Sequence, residues 1–237
     1  MPLLELIDVH REFGGVKAVD GVTLALEQGE LRALVGPNGC GKSTLFNLIS
    51  GALRPSRGHI RFAGREIGGM PPHRVARLGI GRKFQVPAVF DDLSVEQNLA
   101  VAHWRGRAPS AAALLTRIGL VDKRRAPAGT LSHGQRQWLE IGMVLSASPR
   151  LVLLDEPTAG MTAPETLATV QLIRDIAASG DVTVLVIEHD VGFLEALDCP
   201  VTVMAKGRLL RTGPLPDVRA DPEVRALYFG GAVTELA

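Results

Sequence analysis

Gly36 to Ser43 reads G-x-x-x-x-G-K-S, set between the apolar run Leu31 to Val35 and a helix-compatible Leu45 to Ile49. Such a loop, Gly36-Pro37-Asn38-Gly39-Cys40-Gly41-Lys42-Ser43-Thr44, turns successive backbone N–H groups inward at a helix N-terminus and forms an anion cradle. Glycine is expected there because a Cβ would block positive φ angles and the approach of phosphate oxygens. Lys42 is the point charge for β- and γ-phosphates, and the Ser43 hydroxyl is a ligand for Mg²⁺. Leu151 to Leu154 is apolar and ends in Asp155 and Glu156. One carboxylate can hold the metal shell with Ser43, and the next can orient a water in line with the γ-phosphate. Asp155 takes the first role and Glu156 the second. His189 follows another apolar run, Val182 to Ile187, and can donate to the γ-phosphate or the attacking water, or serve structure alone. Phe13, in the exposed-looking loop Arg11-Glu-Phe-Gly-Gly15, is either an adenine-stacking aromatic or a rim residue of a small sheet.

These residues need elements that bring them together. Leu3 to Val9 and Val22 to Leu26 alternate as half-buried strands, with Asp20-Gly21 as a turn between them. Gly58 to Phe62 is another short strand, and Val75 to Leu78 a short helix. The chain then reaches Gly81-Arg-Lys-Phe-Gln85 as a loop broken at Pro87. Capping boxes at Ser94–Gln97 and Ser132–Gln135 open helices to about His103 and Ala147, and Ser110 introduces Ala111 to Ile118. Thr162–Glu165 caps a helix from Ala163 to Ser179, and Asp221-Pro222 opens a last one, Glu223 to Phe229. Leu151–Leu154 and Val182–Ile187 read as strands buried on both faces, so their terminal acids and His189 lie at one sheet edge, where open α/β sheets bind ligands. The expectation is one α/β domain over residues 1–237, with an N-terminal antiparallel sheet and a helical subdomain over 86–150.

With 237 residues, 46% of them hydrophobic, the chain can bury a sizeable core. Its 26 Lys and Arg against 25 Asp and Glu leave +1, no field for nucleic acid. No apolar run approaches the roughly 18 residues of a membrane span, and Met1 to Phe13 carries too many charges for a secretory signal. A cytoplasmic location is expected, with Cys40 and Cys199 as reduced thiols.

The ordered motifs resemble the ATP-binding subunit of an ATP-binding cassette (ABC) transporter, over essentially the whole chain, with the P-loop NTPase core of that family. Gly36–Ser43 is similar to Walker A, Leu151–Asp155 to Walker B, and Leu131-Ser-His-Gly-Gln135 to the signature L-S-G-G-Q. Gln85 stands at the Q-loop, His189 at the switch histidine, and Phe13 at the adenine-stacking aromatic. The resemblance implies ATP and Mg²⁺ as cofactors, with Gln85 on metal and nucleotide. It implies a head-to-tail dimer with a second ATPase subunit, identical or homologous, in which Ser132, Gly134 and Gln135 meet the ATP of the opposite chain. It also implies membrane permease subunits, through which this chain sits peripherally on the inner face of the cell membrane, and, indirectly, an extracytoplasmic solute-binding protein. Two positions depart from the pattern: His133 replaces a glycine, and Thr162 stands where relatives carry the D-loop aspartate. For His133 the expectation is that, if it lies near the opposing γ-phosphate, it makes closure pH-sensitive by adding charge below its pKa. Val86, Val89, Phe90 and Leu93 are the expected groove for a permease helix.

Arg82–Gln85, Leu131–Met143, Ala159–Thr162 and Asp221–Gly230 resemble ATPases of bacterial branched-chain amino acid and urea importers, the first three closer to the urea type. Urea import is the leading expectation, with branched-chain amino acid or other small amide import as the alternative. A soluble cassette ATPase of DNA repair or translation fits poorly, since such chains carry two cassettes or a long coiled coil. A P-loop kinase or GTPase leaves Leu131–Gln135 unexplained, and no N-K-x-D occurs.

Overall fold

The computed structural model describes residues 1–84, 88–102 and 109–229. Strand β1 (Leu4–Phe13) and β2 (Val16–Leu26) form a hairpin over Gly14-Gly15, and β3 (Leu31–Val35) leads into the phosphate loop and α1 (Lys42–Ile49). β4 (Arg57–Phe62) and β5 (Arg65–Glu66) precede α2 (Pro72–Leu78) and β6 (Ile80–Lys83). The helices α3 (Val95–Ala102), α4 (Ala111–Arg117) and α5 (His133–Ser146) follow, with single 3-10 turns at Val121–Lys123 and Ala128–Thr130. The chain then alternates: β7 (Leu151–Asp155), α6 (Ala163–Ala178), β8 (Thr183–Ile187), α7 (Val191–Leu197), β9 (Val201–Ala205) and β10 (Arg208–Gly213). It closes on α8 (Leu215–Ala220) and α9 (Pro222–Phe229).

The described residues form two sheets. The smaller is antiparallel, in the order β2-β1-β4-β5; the larger runs β10-β9-β3-β8-β7-β6 and is parallel except for β10. Along the parallel strands alternate residues enter two separate cores. Val35, Val152, Leu154, Val184 and Val186 face α3 to α7, while Leu34, Leu151, Leu153, Leu185 and Ile187 face α1 and the antiparallel sheet. Apolar residues are therefore needed at consecutive positions, which is why these strands read as unbroken runs. With both faces covered, such strands open to solvent mainly at their ends, where the polar residues gather.

The structure corrects three local expectations. Arg11–Phe13 is the end of β1 rather than a loop, and Asp20-Gly21 lies within β2 rather than turning the chain. Register shifts between Leu6 and Glu12, with Asp8 at φ 47°, let the long hairpin absorb breaks in its alternation. Residues 80–83 form an edge strand beside β7, although Arg82 and Lys83 make the sequence look like a loop. Helices α7 and α8 leave no mark in the sequence pattern: each is a turn or two long, too short for a periodic signal.

Candidate active site

The phosphate loop sits between two backbones. A Cβ on Gly36 would lie 2.1 Å from the Met204 carbonyl oxygen, and one on Gly41, at φ 111°, 2.2 Å from that of Ala18. Glycine is thus required at both positions by the packing of the loop against β2 and β9, before any phosphate approaches. Lys42 opens α1, and its Nζ donates to the carbonyls of Gly36 at 2.7 Å and Pro37 at 3.0 Å. The ammonium therefore lies along the loop itself. Ser43 is exposed and Thr44 half-buried. Cys40 is buried; burial pushes its thiol up, and the Lys42 charge opposes that. Burial pushes Cys199 up as well, to about 11, so neither cysteine is set up as a nucleophile. Phe13 ends β1 with 42% of its surface exposed, and the Arg11 guanidinium sits 4.4 Å from its ring centroid. One face of the ring is covered by a cation.

Asp155, Glu156 and His189 meet at the C-terminal edge of β7 and β8. Asp155 is in register with Ile187, and the Glu156 N–H donates to the Ile187 carbonyl at 3.0 Å. Glu156 has φ 47°, a left-handed conformation that costs a non-glycine residue on the order of 1 kcal/mol and survives where surroundings impose it. Glu188, which belongs to none of the motifs read from the sequence, is one of the groups that hold this turn. Its buried carboxylate accepts the Thr158 N–H at 3.1 Å and the Thr158 hydroxyl, pinning the turn after Glu156. His189 Nδ1 lies 3.9 Å from Glu156 Oε1, on a ring two-thirds exposed. The available signal for Glu188 was its place directly after an apolar strand, as with Asp155.

Asp155 has a partner that no motif announced. Arg82, on β6, donates from Nη2 to Asp155 Oδ2 at 3.2 Å, and from Nη1 to Asn47 Oδ1 at 2.6 Å and Ser50 Oγ at 3.2 Å on α1. Only 8% of either charged side chain is exposed. Burial pushes the Asp155 carboxyl up while Arg82 pulls it back, and burial pushes the guanidinium down. Next to it, Lys83 is fully buried 3.7 Å from Glu140 of α5. A charged layer thus joins β6, β7, α1 and α5 beneath the sheet edge.

Ser132 caps α5: its hydroxyl accepts the Gln135 N–H at 3.2 Å, and Gln135 Oε1 accepts the Ser132 N–H at 3.1 Å. Gly134 is buried beside Glu165. His133, exposed on the first turn of α5, donates from Nε2 to the Ala159 carbonyl of its own chain at 2.9 Å. Gln85 and Val86 lie outside the described residues.

Phosphate loop, paired acids and histidine on one parallel-sheet edge make this a P-loop ATPase. The family model described as ABC transporter matches residues 19–159, and the chain belongs to that family as the ATP-binding subunit. It is 35% identical to the high-affinity branched-chain amino acid transport ATP-binding protein BraF of Pseudomonas aeruginosa, over 98% of this chain and 99% of that protein. Among solved structures, an ATP-binding cassette of an ABC transporter in its ADP conformation superposes with TM-score 0.87 at 30% identity, covering 97% of this chain and 99% of that one. The CbiO1 protein of Clostridium perfringens, part of the transporter complex cbiONQ, gives 0.83 at 28% identity over 97% and 96% of the two chains. No helix among the described residues is long and apolar enough to cross a membrane.

Proposed function

We propose that this chain is the ATPase of an importer of the branched-chain amino acid class, closing on ATP as a head-to-tail dimer with a second ATPase subunit. The observation that carries the catalytic part is the convergence of Glu156 and His189, 3.9 Å apart, beside a phosphate loop held by β3 and α1. Lys42 leaves the Gly36 and Pro37 carbonyls for the β- and γ-phosphates. Glu156 orients and polarises the attacking water, and His189 donates to the γ-phosphate. Phe13 stacks on adenine by the ring face that Arg11 leaves open. Ser43, Asp155 and Gln85 would hold Mg²⁺. One carboxylate with neutral oxygen donors suits a hard cation completed by phosphate and water, and among the described residues no cluster of three or more His, Cys, Asp or Glu forms an all-protein cage. When bound, the ion neutralises charge on the phosphate oxygens. Ser132, Gly134 and Gln135 present the capped N-terminus of α5 to the ATP of the opposite copy.

Residues 86–150 act as the helical subdomain that presents this turn. For permease docking, a cavity of about 400 Å³ offers a better seat than the Val89–Leu93 segment. It is lined by Phe84, Ala102, Met143 and Val144 among others, with half-exposed Phe84 at its rim. In the Val89–Leu93 segment Phe90 is half-exposed, while Val89 is partly buried against the core. The subunit sits on the cytoplasmic membrane face through this groove. Phe84→Asp should abolish transport and co-purification with the permease while ATP binding by the isolated chain stays within about twofold, since an isolated buried carboxylate at the contact is strongly unfavourable. Undiminished uptake would rule the groove out.

The near full-length likeness to a branched-chain amino acid transport protein favours that substrate class over urea, to which the Arg82–Gln85, Leu131–Met143 and Ala159–Thr162 segments pointed. The test is the ATPase rate of the reconstituted transporter with its solute-binding protein. Leucine-loaded binding protein should stimulate turnover. Stimulation by urea instead would reverse the assignment.

A further inference from the structure

The turn that opens α5 is tied to its own chain by more than a cap. The Ser132 hydroxyl donates to Glu165 Oε1 at 3.2 Å. Glu165 Oε2 in turn accepts the Thr162 N–H at 3.0 Å and the Thr162 hydroxyl at 2.9 Å, so the carboxylate is fixed at the start of α6. The approach is close enough that a Cβ on Gly134 would fall 2.6 Å from Glu165 Oε1. Beside it, His133 bonds the Ala159 carbonyl, its ring nitrogen so close to Gly160 that a Cβ there would lie 3.3 Å away. Further along α5, Trp138 Nε1 donates to Thr169 of α6 at 2.8 Å. The two departures from the family pattern, His133 and Thr162, are both members of this cluster.

We propose that Glu165 is a positioning residue for the opposing active site: with His133 it latches the signature turn to the D-loop of its own chain and holds the Ser132 hydroxyl until γ-phosphate on a second copy takes it. This rests on the dimer reading given above. A hydroxyl has one proton to donate, and in the structure Glu165 receives it. The Thr162 N–H, followed by its hydroxyl, holds the Glu165 carboxyl below the usual range, so the group facing the incoming phosphate is an anion. Closure must therefore exchange one anionic acceptor for another and overcome their repulsion, which sets the ATP level at which the dimer forms. His133 keeps Ala159 to Thr162 in place while the exchange occurs.

The test uses the full chain carrying Glu156→Gln, with dimer formation followed by sedimentation velocity across a MgATP titration. Adding Glu165→Gln removes the charge but keeps an oxygen acceptor for Thr162, and should lower the ATP concentration for half-dimerisation by about two- to fivefold. Affinity of the monomer for a fluorescent ATP analogue should stay within about twofold, because the phosphate loop is untouched; that split is not produced by a merely structural cap. Glu165→Asp, which shortens the reach to Ser132, is the second variant should the first fold poorly, and should shift the half-point the same way. An unchanged or raised half-point in whichever variant folds overturns the latch and leaves the dimer reading standing. Absence of any ATP-dependent dimer in the Glu156→Gln parent overturns the dimer reading and the latch with it.

Discussion

Glu156→Gln is expected to keep ATP binding and to lose turnover by about 10²- to 10⁴-fold, the range that a positioned general base contributes. The amide preserves the size of the side chain and the backbone bond from Glu156 N–H to Ile187 O, so the left-handed turn and its Glu188 anchor remain. What disappears is the negative charge that, on the proposed mechanism, polarises water in line with the γ-phosphate. Lys42 and Ser43 are unaffected, so a fluorescent ATP analogue should bind with unchanged affinity, and the chain should accumulate as an ATP-bound dimer. Steady-state phosphate release by the assembled transporter is the decisive measurement. Turnover within a few-fold of the parent would remove Glu156 from the chemistry and leave Asp155 or His189 to be tested in its place.

Arg82→Met should produce a large loss of stability. It strips a buried carboxylate of its partner, and breaking a buried pair on one side costs about 3–5 kcal/mol because the remaining charge is uncompensated. It also leaves Asn47 Oδ1 and Ser50 Oγ on α1 without their donor. For a chain of this size that corresponds to a fall in the ligand-free melting temperature of about 6–20 °C. Asp155→Asn combined with Arg82→Met should recover part of that fall, since no charge is then buried alone, while turnover stays lost. The coupling between the two substitutions, measured as a double-mutant cycle, should be well above the few tenths of a kcal/mol seen for independent sites. Additive losses would show that the 3.2 Å contact contributes nothing.

Much of the architecture was legible because its signals are local. The phosphate loop, the buried strands β7 and β8 and the capped helices α5 and α6 each depend on residues within a few positions of one another, and each was found at its expected place. The capping box at Ser132 is a case in point: both of its hydrogen bonds join residues three apart. Where the expectation failed, the signal was either too short or belonged to another part of the chain. β6 is an edge strand of four residues whose polar half serves a contact with β7 and α1, so its sequence imitates a loop. The long β1–β2 hairpin shifts register more than once, which destroys the alternation that marks a strand. The glycines were read correctly in type and incompletely in cause: Gly36 and Gly41 answer first to the Met204 and Ala18 carbonyls, residues distant in sequence.

The amino-acid sequence by itself determined the family and the order of its motifs along the chain: a glycine-rich loop with its lysine, an acid pair after a buried strand, a histidine after the next, and a capped helix between them. It could do so because each is a short pattern whose chemistry resides in residue types. Tertiary structure alone decided that Arg82 neutralises Asp155, that Glu188 pins the turn at Glu156, and that His133 and Ser132 face Ala159 and Glu165 of their own chain. Those pairings follow from the register of β6, β7 and β8 and from the packing of α5 on α6. Neither is written in any single stretch, because a side chain's partner across a sheet or between helices is set by the path of the whole backbone.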